Sequence, residues 1–218
     1  MKKNIQSIVF YNLLGFLYDK LITWNGYKKA LIHFIQRVPL PTEKLKILDA
    51  GCGTGLVSFA LAEKYSNIEI IGFDYSQKMI EAAEKINKKH KFKNIKFYIG
   101  NLENINRLHD LKNKKKILAA NSFDLIFVAG ALEYTDLSKG IGELTKFLKI
   151  RGSFYNIAVK NNWKGELLGH FMGFTPYAKI KIIESFKMNG LKRIEEIPFI
   201  GKEEQKASHL KIVLKAVK

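Results

Sequence analysis

The feature that most constrains the fold of this chain is a glycine-rich turn that follows a short apolar run. The run at 46–50 ends in Asp49-Ala50, and glycines then occupy positions 51, 53 and 55. Glycine adopts left-handed backbone conformations without steric cost and lets a ligand lie against the main chain. Apolar residues continue from position 56 in a pattern typical of a helix. The pattern therefore predicts a β-strand, a sharp turn that meets a ligand, and a helix whose first amides face that ligand.

Strand-like and helix-like segments alternate steadily after residue 45. The apolar runs that predict strands lie at 46–50, 68–73, 95–99, 123–129, 153–159, 193–199 and 209–217. The helical patterns between them lie at 56–65, 77–90, 138–148 and 177–189. This alternation predicts a parallel sheet with helices on both faces. Residues 104–122 are interpreted as a solvated insertion with a short helix, and residues 163–174 as a loop that mixes aromatics with glycines.

The first 41 residues are predicted to form an N-terminal helical segment, and residues 42–218 the main domain. Pro39 and Pro41 separate the two. The segment is rich in aromatics, among them Phe10, Tyr18 and Trp24. It is interpreted either as a covering helix packed on the core or as a lid over the substrate, which could also lie on a membrane surface.

Composition excludes several classes of protein. The single cysteine rules out an intrachain disulfide, and without a Cys/His cluster no metal site is predicted. Because no apolar stretch is long enough to span a bilayer, we expect a cytoplasmic protein. The net charge of +17 is compatible with a solvated lysine-rich surface, with RNA binding, or with peripheral contact with an anionic membrane.

The spacing of the glycines in the turn limits the classes of ligand that it can bind. A loop that binds nucleotide phosphates would continue with Gly-Lys-Ser/Thr, but Leu56 follows Gly55 here, and a dinucleotide turn would be spaced Gly-x-Gly-x-x-Gly. Asp74 ends the second predicted strand, where a carboxylate accepts hydrogen bonds from both hydroxyls of a ribose. These residues together favour an adenosyl ligand without a pyrophosphate.

The chain resembles the class I S-adenosylmethionine-dependent methyltransferases. The resemblance rests on Ile47-Leu48-Asp49-Ala50-Gly51-Cys52-Gly53-Thr54-Gly55, on Asp74, on Phe123-Asp124-Leu125-Ile126 and on the stretch at 144–154. It covers residues 45–160 well and residues 175–217 adequately. It implies a doubly wound α/β fold with a mostly parallel seven-stranded sheet and an antiparallel last strand. It also implies that S-adenosylmethionine is the cofactor, that S-adenosylhomocysteine is the product, and that the methyl group moves by direct in-line displacement.

The resemblance also assigns roles to residues at the ends of the strands. It implies that Asp49 and the loop of Gly51, Cys52, Gly53, Thr54 and Gly55 approach the methionine part of the cofactor and that Asp74 holds the ribose. Tyr75 and Met79 would flank the adenine, Asn101 and Leu102 would contact its edge, and Ala129 would lie beside the sulfonium.

The acceptor is the least determined part of the prediction. Enzymes that methylate amino groups of DNA bases or of glutamine carry Asn/Asp-Pro-Pro-aromatic after the fourth strand, whereas this chain reads Ala129-Gly130-Ala131-Leu132. This difference favours a small-molecule or lipid-like acceptor, such as a phospholipid amine or a quinone. The alternatives are an RNA methyltransferase and a non-catalytic adenosyl-binding protein.

Three side chains are candidates for a general base or for orienting the acceptor. Glu133 and Tyr134 follow the fourth predicted strand, near the expected position of the methyl group, and His170 lies in the predicted loop at 163–174. Each could instead be a solvated loop residue or a structural side chain.

Overall fold

The computed structural model describes residues 26–41 and 44–218. Helices in chain order are α1 Tyr27–Arg37, α2 Leu56–Lys64, α3 Gln77–His90, α4 Leu137–Thr145, α5 Trp163–Met172, α6 Lys179–Met188 and α7 Gly201–Ser208. Strands are β1 Leu45–Ala50, β2 Ile68–Asp74, β3 Ile95–Asn101, β4 Asn104–His109, β5 Lys115–Lys116, β6 Phe123–Ala129, β7 Leu148–Val159, β8 Lys192–Glu196 and β9 Lys211–Val217. A short 3-10 helix spans Leu132–Tyr134.

The strands form one nine-stranded sheet in the order β5-β4-β3-β2-β1-β6-β7-β9-β8. The five neighbouring strands from β3 to β7 are parallel, and β9 is antiparallel to both of its neighbours. The direction of chain progression reverses at β1, which pairs with β2 on one side and β6 on the other. In open α/β sheets, ligands bind beyond the carboxyl ends of the strands at such a reversal.

Two hydrophobic layers cover the faces of the sheet. One layer includes side chains from α1, α2, α3 and α7, and the other includes side chains from α4 and α6. The central strands are buried on both faces because helices cover both, and their sequences are accordingly apolar almost throughout. The predicted α/β architecture, with a mostly parallel sheet and helices on both faces, is confirmed.

The predicted number of seven strands is wrong, because residues 104–122 are not a solvated insertion with a short helix. They contain β4 and β5, which extend the sheet beyond β3 as an antiparallel hairpin. The Asp110 side chain accepts hydrogen bonds from the Lys112 and Lys114 amides at 2.9 Å, and Asn113 adopts a φ of 61°. This turn folds the lysine-rich run back on β4, whose Ile105 and Leu108 are buried in the core.

The prediction of a loop at 163–174 is also largely wrong, because most of this segment forms helix α5. The Asn162 side chain caps this helix by accepting a hydrogen bond from the Gly165 amide at 2.9 Å. The glycines that suggested a loop allow close backbone contact instead. A Cβ on Gly165 would lie 1.9 Å from the Lys160 carbonyl oxygen, and one on Gly169 would lie 2.5 Å from that of Phe174.

The described part of the N-terminal helical segment is α1, which packs into the core through Leu31, Phe34 and Ile35. Residues 1–25 lie outside the described residues, so the lid stays a prediction. No helix among residues 26–41 and 44–218 combines the length and hydropathy needed to cross a bilayer.

Helices α1 and α7 are joined by a bidentate ion pair. Arg37 donates from Nε and Nη2 to the two carboxylate oxygens of Glu204, both at 2.9 Å, and the Ile200 amide donates to the same carboxylate at 2.9 Å. Glu204 is buried, so its charge is held by three donors away from solvent.

We expect Glu204→Ala to lower the free energy of unfolding by about 2 kcal/mol, since it removes charge-assisted hydrogen bonds from a buried site. Urea denaturation at neutral pH measures the change. Glu203→Ala is the matched control, because Glu203 is exposed on the same helix and its pair with Lys206 is at 3.5 Å. Its effect is expected to stay below about 0.5 kcal/mol. Equal destabilisation by the two substitutions would contradict this interpretation.

Candidate functional site

The glycine turn has the conformation that its sequence predicts. Gly51, Gly53 and Gly55 have φ angles of 70°, 54° and 88°, in the left-handed region that favours glycine. The Gly51 and Cys52 amides donate hydrogen bonds to the Phe73 carbonyl oxygen at 2.8 and 2.9 Å. The turn after β1 is therefore held against the end of β2.

Residues from three strand ends meet at Gly51. A Cβ built on Gly51 would lie 2.3 Å from the Ala131 Cβ and 3.8 Å from the Leu102 Cδ1. Ala131 follows β6 and Leu102 follows β3, so the segments after β1, β3 and β6 converge. The absence of a side chain at Gly51 permits this close approach of Ala131 at the carboxyl edge of the sheet.

Asp49 is fully buried at the end of β1. Its Oδ2 accepts hydrogen bonds from the Ser58 amide at 3.1 Å and the Ser58 Oγ at 2.6 Å, whereas its Oδ1 has no partner among the described residues. Burial raises the pKa of Asp49 to about 7; the bonds from Ser58 lower it, and the charge of Asp74 raises it further.

Asp74 holds the glycine turn from β2. Its Oδ2 accepts a hydrogen bond from the Gly53 amide and its Oδ1 accepts one from the Ser76 amide, both at 2.9 Å. Burial raises the pKa of Asp74, although the backbone donors oppose the shift. The Tyr75 amide also donates to this carboxylate, whose two oxygens together offer about four lone-pair positions, so the side chain retains acceptor capacity for a ligand hydroxyl.

The residues predicted to surround an adenine lie beyond β2 and β3. Tyr75 is 54% exposed, while Met79 and Leu102 are buried. The Asn101 Oδ1 accepts a hydrogen bond from the Glu103 amide at 2.8 Å. An exposed ring, two apolar side chains and an amide at neighbouring strand ends suit a flat heterocycle.

The two remaining turn residues differ in environment. The Cys52 thiol is buried, and burial raises its pKa well above the ordinary value, which is typical of a structural cysteine. Thr54 is half-buried on the turn itself.

The predicted acceptor-side residues do not form one cluster. Glu133 is buried, and its Oε1 accepts a hydrogen bond from the Val159 amide at 2.6 Å; its Oε2 has no partner in the described part of the chain. The Tyr134 ring packs edge-on against Phe174, with centroids 5.1 Å apart. His170 is exposed on α5, where its ring contacts that of Phe171, and no hydrogen bond or ring contact between described residues joins it to Glu133.

One buried charge at this edge gave no signal in the sequence. Lys211, the first residue of β9, is 3% exposed, and its Nζ would lie 3.0 Å from a Cβ built on Gly130. Burial lowers the pKa of Lys211, and the charge of Glu133 counteracts part of that effect. In a chain with 37 lysines and arginines, nothing in the local pattern distinguishes this lysine from those on the surface.

The residues present fit S-adenosylmethionine. The turn presents backbone without side chains at Gly51, Gly53 and Gly55, and Asp49 offers a buried oxygen that has no partner among the described residues. Asp74 offers acceptor capacity for ribose hydroxyls beside the same turn. Within residues 26–41 and 44–218, no group of three or more His, Cys, Asp or Glu side chains is placed to hold a metal ion.

Comparisons with known proteins identify the family of the chain. A family model described as a methyltransferase domain matches residues 41–190. A demethylmenaquinone methyltransferase of Leptospira interrogans is 30% identical over 165 residues, which are 70% of this chain and 61% of that protein. A malonyl-[acyl-carrier protein] O-methyltransferase of Ilyobacter polytropus is 32% identical over 111 residues, which are 50% of this chain and 38% of that protein. This chain thus spans about three-fifths of the length of the first relative and less than two-fifths of the length of the second.

Solved structures share the fold at low sequence identity. The YcgJ protein of Bacillus subtilis superposes with a TM-score of 0.66 at 18% identity, covering 87% of this chain and 98% of that chain. The geranyl diphosphate C-methyltransferase of Streptomyces coelicolor, solved with S-adenosyl-L-homocysteine, has a TM-score of 0.69 at 11% identity and covers 87% and 78% of the two chains.

The raised pKa of Asp49 predicts a specific pH dependence of stability. Between about pH 4 and pH 7 the folded state holds a proton on Asp49 that the unfolded state has lost, so stability falls as the pH rises through this window. Asp49→Asn keeps an oxygen for the Ser58 donors but cannot ionise. We expect the melting temperature of the variant, relative to the natural protein, to increase across this window and to level off above it.

Circular dichroism melts of both proteins, at constant ionic strength from pH 4 to pH 8.5, measure the difference. Contributions from groups other than Asp49 are common to both proteins and largely cancel. Parallel curves across the whole range would show that Asp49 ionises normally in the folded state.

Proposed function

The chain belongs to the methyltransferase domain family, within the class I S-adenosylmethionine-dependent methyltransferases, and from this membership we propose that it transfers a methyl group from S-adenosylmethionine to a small-molecule acceptor. The observation that carries the proposal is the close meeting of the ends of β1, β3 and β6 at Gly51, beside Asp74. Residues 41–190, which the family model matches, include these segments.

The proposed cofactor site uses the residues at the strand ends. Asp49 and the turn at Gly51–Gly55 would hold the methionine part, and Asp74 the ribose hydroxyls. Tyr75 and Met79 would flank the adenine, Asn101 and Leu102 would contact its edge, and Ala129 would lie beside the sulfonium. The Asn101 Oδ1 already accepts one bond from Glu103 but has a second lone pair for an amino group.

The proposed chemistry asks little of the protein beyond position. When bound, S-adenosylmethionine supplies an electrophilic methyl group on a sulfonium. The residues of this chain would orient the acceptor in line and exclude water, and these effects alone provide large rate enhancements. Leu102 and Leu132 are buried near this edge, so the surroundings of the proposed site are largely apolar.

Two observations support a small-molecule acceptor. The segment Ala129-Gly130-Ala131-Leu132 lacks the Asn/Asp-Pro-Pro-aromatic run of enzymes that methylate base or glutamine amino groups. Two relatives are named for a demethylmenaquinone and for a malonyl-[acyl-carrier protein], which are not nucleic acids. Glu133, Tyr134 and His170 remain candidates for orienting the acceptor, of which Glu133 is the one at the buried edge. RNA, suggested by charge alone, is the alternative acceptor, and a non-catalytic adenosyl-binding protein is the alternative without transfer.

The test compares the natural protein with Gly51→Ala and a matched control. Both Gly51 and Gly190 have left-handed φ angles, of 70° and 79°, so an alanine costs similar backbone strain at each. Only at Gly51 does the added Cβ clash, since nothing lies within 4 Å of one at Gly190. Because the clash with Ala131 must displace the glycine turn or the segment after β6, we expect Gly51→Ala to weaken S-adenosylmethionine binding by at least about tenfold. We expect Gly190→Ala to leave this binding unchanged.

Equilibrium dialysis with methyl-labelled S-adenosylmethionine measures the affinity. Incubation with separate quinone, lipid, small-molecule and RNA pools then measures transfer. Label in a quinone, lipid or small-molecule pool supports the proposal. Label only in RNA would overturn the acceptor class, and binding without transfer to any pool would favour the non-catalytic alternative.

Helix α5 carries an exposed apolar stripe that supports a second proposal, contact with an anionic membrane. Trp163, Leu167 and Phe171 recur every four residues, so they lie on one face of the helix, and all three are exposed. Lys164 is exposed on the same helix, with its ammonium 5.4 Å from the Trp163 ring centroid. Aromatics beside lysines on a protein of net charge +17 complement an anionic lipid surface.

We expect the protein to float with vesicles that contain phosphatidylserine and not with vesicles of phosphatidylcholine alone. The double substitution Trp163→Ser and Phe171→Ser should reduce flotation by at least about tenfold, because it removes most of the apolar area of the stripe. Ile180→Ser with Met188→Ser is the control, since both residues are exposed on α6. Equal flotation of the two double variants would contradict a specific role for α5.

A further inference from the structure

Two buried side chains of opposite charge lie at the carboxyl edge of the sheet with incomplete partners. Lys211 is 3% exposed and Glu133 is 7% exposed. Among the described residues, no hydrogen bond or ion pair engages Lys211 Nζ, and Glu133 Oε2 has no partner. Burying a charge without a partner is costly, so such a group in a structure indicates a candidate functional site.

Both side chains are anchored around the end of β7. Lys211 is opposite Val159 in the antiparallel pairing of β7 with β9. The Val159 amide donates the 2.6 Å hydrogen bond to Glu133 Oε1. The two charges are therefore placed by the same residue of the sheet, yet no contact within 4.0 Å joins them.

The ammonium lies against bare backbone beyond β6. A Cβ on Gly130 would come within 3.0 Å of Lys211 Nζ, so a side chain at this position would crowd the ammonium. The Tyr27 ring of α1 lies on another side, with its centroid 5.8 Å from Nζ. Gly130 directly follows Ala129, the residue proposed to lie beside the sulfonium. The cation is thus held next to the proposed position of the methyl group.

We propose that the Lys211 ammonium binds an ionised hydroxyl oxygen, a phenolate or an enolate, of the methyl acceptor, with Glu133 as a positioning residue. This inference rests on the proposed function, because it names the class of small molecule that the same site takes. The hydroxyl proton is released to solvent on binding. Burial lowers the pKa of Lys211, and the negative charge of Glu133 opposes this effect and so favours the ammonium form.

The charges of the neighbouring groups disfavour two other classes of acceptor. The Lys211 ammonium repels a cationic amine at this position, and Glu133 repels a doubly charged phosphate more strongly than a singly charged phenolate. Phosphate sites in proteins also use several donors or the planar fork of arginine, whereas the described residues here provide one ammonium. The Tyr27 ring and the buried side chains of Ile157 and Val159 form apolar surroundings that suit an aromatic or enolic ring.

The experiment uses 4-nitrophenol as the probe, because its phenolate has a visible absorption band that reports ionisation directly. The full chain is titrated near the probe's own pKa, without cofactor and with S-adenosylhomocysteine. We expect the natural protein to bind the phenolate form of this probe. 4-Nitroanisole cannot ionise, and we expect the protein to bind it at least about tenfold more weakly.

Lys211→Met should weaken phenolate binding by at least about tenfold. Lys215→Met is the matched control, because Lys215 projects from the same face of β9 two positions along that face and pairs with Glu195 at 2.7 Å; we expect no change. If Lys211→Met does not fold, judged by its circular dichroism spectrum, Gly130→Ala tests the same idea by crowding the ammonium while leaving its charge.

The outcomes separate this inference from the proposed function. If the protein binds the phenolate through Lys211 but does not bind S-adenosylmethionine, the proposed function is overturned and the inference about Lys211 is supported. If the natural protein transfers methyl groups but the Lys211→Met and Gly130→Ala variants both bind the phenolate as tightly as it does, the inference is overturned and the proposed function is not. Tighter binding of phenyl phosphate than of 4-nitrophenol would also overturn it.

Discussion

The buried hydrogen bonds between Asp49 and Ser58 are the interaction on which the rest of the site depends. Helix α2 begins after Gly55, which has no side chain to cap the first amides. Asp49 supplies the missing acceptor from the end of β1, since its Oδ2 binds both the amide and the hydroxyl of Ser58. The positive end of the helix in turn favours a carboxylate at this position. The central strand and the first helix are thereby fixed to each other across the glycine turn.

The position of β1 between β2 and β6 brings the glycine turn, which this interaction fixes, beside residues from both neighbouring strands. Because β1 pairs with β2 on one side and β6 on the other, helix α2 after β1 and the segment after β6 lie on opposite faces of the sheet. On the β2 side Asp74 accepts a hydrogen bond from the Gly53 amide, and on the β6 side Ala131 approaches Gly51. A side chain at Gly51 would separate these segments, so the glycine is required by packing as well as by backbone conformation.

The sequence predicted the parts of the fold that local pattern determines. Strand β6 and helix α3 were predicted with their observed bounds, because a continuous apolar run and a long amphipathic repeat are strong signals. The hairpin β4–β5 was missed because Lys115–Lys116 is polar and only two residues long, so that pairing with β4 decides its conformation. Helix α5 was missed because its glycines serve contacts with Lys160 and Phe174 that only the tertiary structure reveals.

The same distinction applies to charges within the candidate site. The positions of Asp49 and Asp74 followed from the strands that precede them, but the burial of Lys211 depends on three segments distant in sequence: α1, the turn at Gly130 and Val159. Buried charges that serve only the fold have their hydrogen bonds completed, as Glu204 does with three donors. Lys211 and Glu133 are left incomplete at the edge where ligands bind in this architecture. A well-packed apolar pair would often be at least as stable there, so the presence of these two charges supports our proposal that this edge of the sheet binds a charged oxygen.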